Sequence, residues 1–123
     1  MSLETINAQL TELLKLKDGW LDGWGFAPSR AAVETAREYL PRVEDILEAR
    51  VYIYPTPEGG VQAEWSTKSW SFDLCFLSET ARLSGSNLED RSDIELNSPS
   101  RDLRWILDTI ETLTAGDKIE DLG

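Results

Sequence analysis

The stretch Tyr54-Pro-Thr-Pro-Glu-Gly-Gly-Val-Gln-Ala-Glu-Trp65 decides the fold. Strand-forming residues flank a turn signal of prolines and paired glycines, so the segments on either side read as the two arms of a β-hairpin. Outward from it, 51–54, 61–66 and 69–77 read as strands, rich in β-branched and aromatic residues. A tight turn at Thr67-Lys68 would pair Trp65 with Trp70, Ala63 with Phe72 and Val61 with Leu74. Each of these pairs is apolar and on one face, which is the register a half-buried sheet selects. Gln62, Glu64, Ser71, Asp73 and Cys75 then share the opposite face. In the first hairpin, Val51 and Ile53 are assigned to the buried side and Tyr52 and Tyr54 to the wetter one. A fourth short strand is expected over 80–84 and a fifth over 94–96, with a polar, aperiodic 85–93 between them.

Helical spacing brackets these strands. Leu3, Ile6, Leu10, Leu13 and Leu14 predict a helix over 3–17 with Ser2 as its N-cap. Asp18-Gly-Trp-Leu-Asp-Gly-Trp-Gly25 then breaks the chain into a structured loop. Pro28-Ser29 announces a second helix with the inward stripe Ala32, Val33, Ala36, Tyr39, Leu40, Val43 and Leu47. Pro41 predicts a kink or break near Leu40, with a shorter helical piece over 42–48. Ser98-Pro99 reads as the start of a third helix, with Asp102 in its first turn and Leu103, Ile106, Leu107, Ile110 and Leu113 as its apolar stripe. Ala115-Gly116 should end it. The expected fold is α+β: a two-layer sandwich of an antiparallel three- to five-stranded meander, with two N-terminal helices and one C-terminal helix on one face. The domain should span 1–116, and 117–123 should form a loose acidic tail.

Composition removes many chemistries. The chain has 123 residues, a size that buries roughly two thirds of its unfolded surface without disulfides or metals. Its single cysteine, Cys75, leaves no intrachain disulfide. No run approaches the roughly 18 apolar residues of a membrane helix, and Met1-Ser2-Leu3-Glu4 does not begin like a secretory leader, so no membrane contact and a cytoplasmic location are expected. The chain contains no histidine, which excludes Ser-His-Asp, Cys-His and His-rich zinc constellations. A formal charge of -11 argues against direct contact with nucleic-acid phosphates and favours a basic protein partner, including a basic nucleic-acid-binding protein.

Taken together, 18–28, the alanine-rich helix after it and 55–65 resemble a scattered group of small, uncharacterised bacterial and phage proteins. That group carries an Asp-Gly-x-Gly-x-x-Pro loop and a Pro-Thr-Pro-Glu/Asp-Gly-Gly-Val-x-x-Glu-Trp hairpin. The likeness covers about residues 10–77. It implies an accessory, inhibitory or antitoxin-like role among mobile-element and defence genes, and it carries over no catalytic residue.

Candidate contact residues follow from this pattern. Trp20 and Trp24 sit in the glycine-rich loop, where aromatic side chains either cap a core or make a binding hot spot. Tyr52, Tyr54, Glu64 and Asp73 would share the free sheet face, where tyrosines supply both area and a polar handle. Asp18 and Asp22 lack the ligand rhythm of a calcium loop and read as turn formers. Cys75 reads as a half-buried, inert thiol. The expectation is a non-enzymatic, acidic binding protein without metal or cofactor, of inhibitor, antitoxin or anti-CRISPR type. The alternatives are a homodimerising structural module and, behind it, a small hydrolase using Glu64 and Asp73.

Overall fold

The proline-flanked glycines form the turn between β1 (Tyr52–Pro55) and β2 (Val61–Ser66) in the structure, a computed structural model that describes residues 3–47, 50–100 and 102–122. Three further strands, β3 (Trp70–Phe76), β4 (Ala81–Asn87) and β5 (Asp93–Ser98), complete an antiparallel sheet in the order β1-β2-β3-β4-β5. The expected strand faces are correct. Val51 is buried and Ile53 partly so, while Tyr52 and Tyr54 are exposed.

The second hairpin differs from its expected register. Trp65 pairs with Phe72, Ala63 with Leu74 and Val61 with Phe76, a shift of two residues along β3. The chain reverses at Lys68-Ser69, one residue later than expected. Thr67 closes the turn twice: its N–H donates to the Trp70 carbonyl at 2.8 Å, and its Oγ1 accepts from the Trp70 N–H at 3.1 Å. Because the side-chain period is two, this slip preserves every face. It also stacks Phe72 between Trp65 and Trp70, with ring centroids 5.4 and 5.5 Å away.

β4 is longer than expected and runs through Ser84-Gly85-Ser86, a segment with little strand propensity. Gly85 is there because the Phe72 ring lies over its backbone. A Cβ at that position would stand 2.9 Å from Phe72 Cδ1 and Cε1.

The helices carry the larger corrections. α1 (Leu3–Leu13) is shorter than 3–17; the N–H groups of Lys15 and Leu16 already bond three residues back, to Glu12 and Leu13, which tightens and ends it. Its expected cap, Ser2, lies outside the described residues. α2 (Arg30–Leu47) opens on Ser29, whose Oγ accepts the Ala32 N–H at 3.0 Å. It then runs unbroken through Pro41; the stripe on both sides of the proline (Tyr39, Leu40 and Val43) is buried, and that packing outweighs the lost backbone bond. The expected end of its second half, Glu48, is outside the described residues.

α3 (Arg104–Leu122) starts well after Ser98-Pro99. Ser98 instead pairs with Ala81 as the last residue of β5, and its Oγ turns onto Ser100. The helix is launched at Leu103, whose N–H donates to the Tyr39 hydroxyl at 3.2 Å, with Asp102 Oδ1 accepting the Arg104 N–H. α3 also continues past Gly116, because a single glycine costs only about 1 kcal/mol in a helix.

The three helices and the open five-stranded sheet make an α+β fold, but not with two equivalent N-terminal helices. The short α1 touches β1 and α2, whereas the middle helix α2 lies on β2 and β3 and meets the C-terminal α3. One core joins Ile6 and Leu10 of α1, Val33 and Leu40 of α2 and Ile106 and Ile110 of α3 to Phe72, Leu74, Phe76 and Leu83 of the sheet. Among the described residues, no helix is long and apolar enough to cross a membrane.

Candidate functional site

The sheet face turned away from this core is a grid set by register. One row across the strands reads Tyr52, Glu64, Asp73, Ser84 and Glu95. The next, toward the proline turn, reads Tyr54, Gln62, Cys75, Arg82 and Asn97. On the other side lie Ser66, Ser71, Ser86 and Asp93. Glu64 and Asp73 are therefore direct cross-strand partners, closer than the expected register placed them. Burial, followed by the neighbouring Glu64 carboxylate, pushes the Asp73 carboxyl above the usual aspartate range. Gln62 Nε2 donates to Glu64 Oε2 at 3.0 Å, and Ser86 Oγ donates to Asp93 Oδ1 at 2.8 Å. Among the described residues, the side chains of Asp73 and Glu95 have neither a hydrogen-bond nor an ion-pair partner.

Two shallow depressions flank β3 on this face. One, of about 370 Å³, is lined by Ser71, Asp73, Ser84, Ser86, Asp93 and Glu95 among others. The second, of about 360 Å³, includes Arg50, Tyr52, Glu64 and Ser66, and shares Ser71 and Asp73 with the first. At its rim the Arg50 guanidinium stacks on the Tyr52 ring, 5.1 Å from the centroid. Cys75 is half-buried; burial raises its thiol pKa, against a smaller opposing effect of Arg82, so it stays a protonated, poor nucleophile.

At the proline-turn end, the glycine-rich loop is built as a brace. The Gly19 N–H donates to the Gly25 carbonyl at 2.7 Å, and Leu21 and Trp24 exchange backbone bonds at 2.9 Å each way. Trp20 is half-buried, and its Nε1 donates to the Phe26 carbonyl at 2.8 Å. Gly25 has φ +86°, and a Cβ there would sit 3.1 Å from that indole nitrogen, so the position suits only glycine. Asp18 Oδ1 accepts the Ala27 N–H at 2.8 Å, which confirms Asp18 as a turn former. The loop is then tied to the hairpin: the Phe26 N–H donates to the Pro57 carbonyl and the Ser29 N–H to the Gly59 carbonyl, both at 2.8 Å. Segments 18–28 and 55–60, distant in sequence, are thus one substructure.

That substructure holds its large side chains outward. Trp24 is 78% exposed and Phe26 66%, with Leu21 also exposed. Trp24 does not cap the core, while Trp20 serves as an internal strut.

No family model, curated protein or solved structure matches the chain.

The contact residues expected from sequence fall into two groups. Tyr52, Tyr54, Glu64 and Asp73 share the open face, and Trp20 and Trp24 lie in the loop beside the proline turn. Sequence reading passed over Phe26 and Leu21, and it left Asp93 and Glu95 off the sheet face. The alternation Asp93-Ile-Glu-Leu-Asn97 was the available signal for the acidic pair; nothing in a Gly-Phe-Ala triplet signals which way Phe26 points. Among the described residues, no group of His, Cys, Asp and Glu side chains is arranged to hold a metal ion. Chemically, the Glu64–Asp73 pair combines one carboxyl of raised proton affinity with a second carboxylate, on a face open to solvent.

Proposed function

We propose that this chain is an acidic binding protein that acts by protein–protein contact, holding or occluding a basic partner in the manner of an inhibitor, antitoxin or anti-CRISPR-like protein of a phage or mobile element. The observation that carries this reading is the braced loop. Its backbone bonds, the Trp20 strut and the tie to Pro57 hold the backbone at Trp24 and Phe26 in one geometry, with both side chains exposed. A loop backbone fixed in advance loses little conformational entropy on binding, and aromatic side chains are among the residue types that dominate interface energetics. The charge of -11 supports the choice of a basic partner, which it would steer into encounter. The loop-and-hairpin resemblance supports the inhibitor class, and the two segments that carry it are joined here into one surface.

The test is affinity capture from the native cell by wild type and by W24A/F26A, at low salt and at about 0.5 M salt, where steering over distance is screened. A basic protein retained by wild type at low salt, and lost both from the variant and at high salt, is the expected result. Equal capture by wild type and variant, or no specific partner at low salt, counts against it. A second reading, a small hydrolase, has the direct Glu64–Asp73 pairing in its favour. Turnover abolished by D73N in a broad substrate screen would replace the first reading with the second.

A further inference from the structure

Among the described residues, the helices pack on one face of the sheet and leave the other uncovered. We propose that this open face is a docking site for a single basic α-helix of another protein, laid across the strands along the row Tyr52, Glu64, Asp73, Ser84 and Glu95. This rests on the reading of the chain as a contact protein, and adds where contact is made and with what.

Charge argues for a cationic occupant. Glu64 opposes Asp73 directly, Glu95 follows beyond Ser84, and Asp93 lies two residues before Glu95 on the same face. Like charges placed opposite each other across strands destabilise a sheet on their own, and a guanidinium or ammonium group lying between them reverses the sign of the interaction. Asp73 and Glu95, unpartnered among the described residues, keep their acceptor capacity for such a group. Two cations border the row: Arg82 is one row away, between Cys75 and Asn97, and Arg50, stacked on Tyr52, lines the depression at the β1 end.

Shape argues for a helix. The row crosses five strands, about 19 Å at the usual strand spacing, which is the length of roughly 12 helical residues. Glu64 and Asp73 are one strand step apart and Glu95 two steps further, so cations at i, i+4 and i+11 of one helix face would meet all three. Serines at 71, 84 and 86 keep the floor low, and depressions of about 370 and 360 Å³ lie along the row, with Ser71 and Asp73 lining both. Tyr52 with its stacked Arg50 closes one end. A second copy of this chain is a poor occupant, since a twofold contact would set these carboxylates against one another. An extended peptide would add to a sheet edge and not to this face.

The experiment uses the full chain, isotopically labelled, and a capped alanine-based helical peptide with arginines at i, i+4 and i+11. A peptide with glutamines at those positions is the control. Amide shifts are expected at strand residues around Ser71, Ser84 and Glu95, with the arginine peptide only. E64Q/D73N/E95Q should weaken binding by about tenfold or more, while E34Q/D108N/E111Q, the same charge change on exposed helix positions, should stay within about twofold. Equal weakening by the two variants, shifts confined to other surfaces, or concentration-dependent dimerisation that broadens this face would each overturn the proposal. If E64Q/D73N/E95Q still captures a native partner that W24A/F26A loses, the contact reading stands and the sheet-face assignment fails. If no variant loses capture, the contact reading itself fails.

Discussion

Asp73 sits opposite Glu64 across the β2–β3 ladder, and the energetic effect of that placement depends on pH. Burial and the Glu64 charge raise its folded pKa above the unfolded value, so ionising it is harder in the fold than in the unfolded chain. The penalty is absent below the unfolded aspartate pKa of about 3.9 and fully present above the folded pKa. D73N should therefore be more stable than wild type at pH 7, by about 0.2–1 kcal/mol for a cross-strand like-charge pair, with the gain shrinking toward zero at about pH 3. Thermal melts at both pH values check this; a variant less stable at pH 7 would show that Asp73 makes a favourable interaction absent from this structure. The two loop tryptophans should separate as cleanly. W20F removes the indole donor to the Phe26 carbonyl and should cost about 1 kcal/mol, whereas W24A, at a side chain in water, should stay within about 0.5 kcal/mol by urea unfolding.

The elements differ in how strongly neighbours override their local signals. Tyr39 on α2 accepts the N–H of Leu103, where α3 begins, in a buried position. Y39F leaves that donor unsatisfied and should cost about 1–3 kcal/mol with an unchanged urea m-value, as expected for a lost bond inside an intact fold. P41A restores a backbone donor within α2 and should stabilise by up to about 3 kcal/mol, less to the degree that the native helix has already adapted. Alternation within strands made the faces legible in the sequence, so Tyr52, Tyr54, Glu64 and Asp73 were placed together correctly. Strand ends and helix starts were not legible where a distant partner sets them. Ser98-Pro99 carries a sound local helix signal, yet pairing with Ala81 keeps Ser98 in β5, and Tyr39 moves the launch point to Leu103. Likewise Ser84-Gly85-Ser86 looks like a loop until the Phe72 ring is known to lie over it. The placement of Phe26 belongs to the same class, since its backbone is tied to the hairpin about 30 residues away along the chain.

At the scale of the whole molecule, net charge sets the response to salt. With 23 acidic against 12 basic side chains, repulsion is spread over the entire surface. The ion pairs shown among the described residues, Lys15–Glu12 and Arg104–Asp102, are exposed and therefore weakly stabilising. Salt has little attraction to weaken and much repulsion to relieve. The screening length falls from about 30 Å at 0.01 M to about 8 Å at 0.15 M, shorter than a domain of this size is wide. Repulsion across the molecule is thus removed in that interval, while the apolar core joining the helices to the sheet is untouched by moderate sodium chloride. The melting temperature should rise with salt over this range, equally in sodium and choline chlorides because the effect is screening and not site binding. A melting temperature that falls, or that rises only with sodium, would mean that specific ion contacts outweigh the surplus of carboxylates. E64Q/D73N/E95Q should show a shallower salt dependence than wild type, because it removes three charges from one row of the sheet, two of them directly opposite each other.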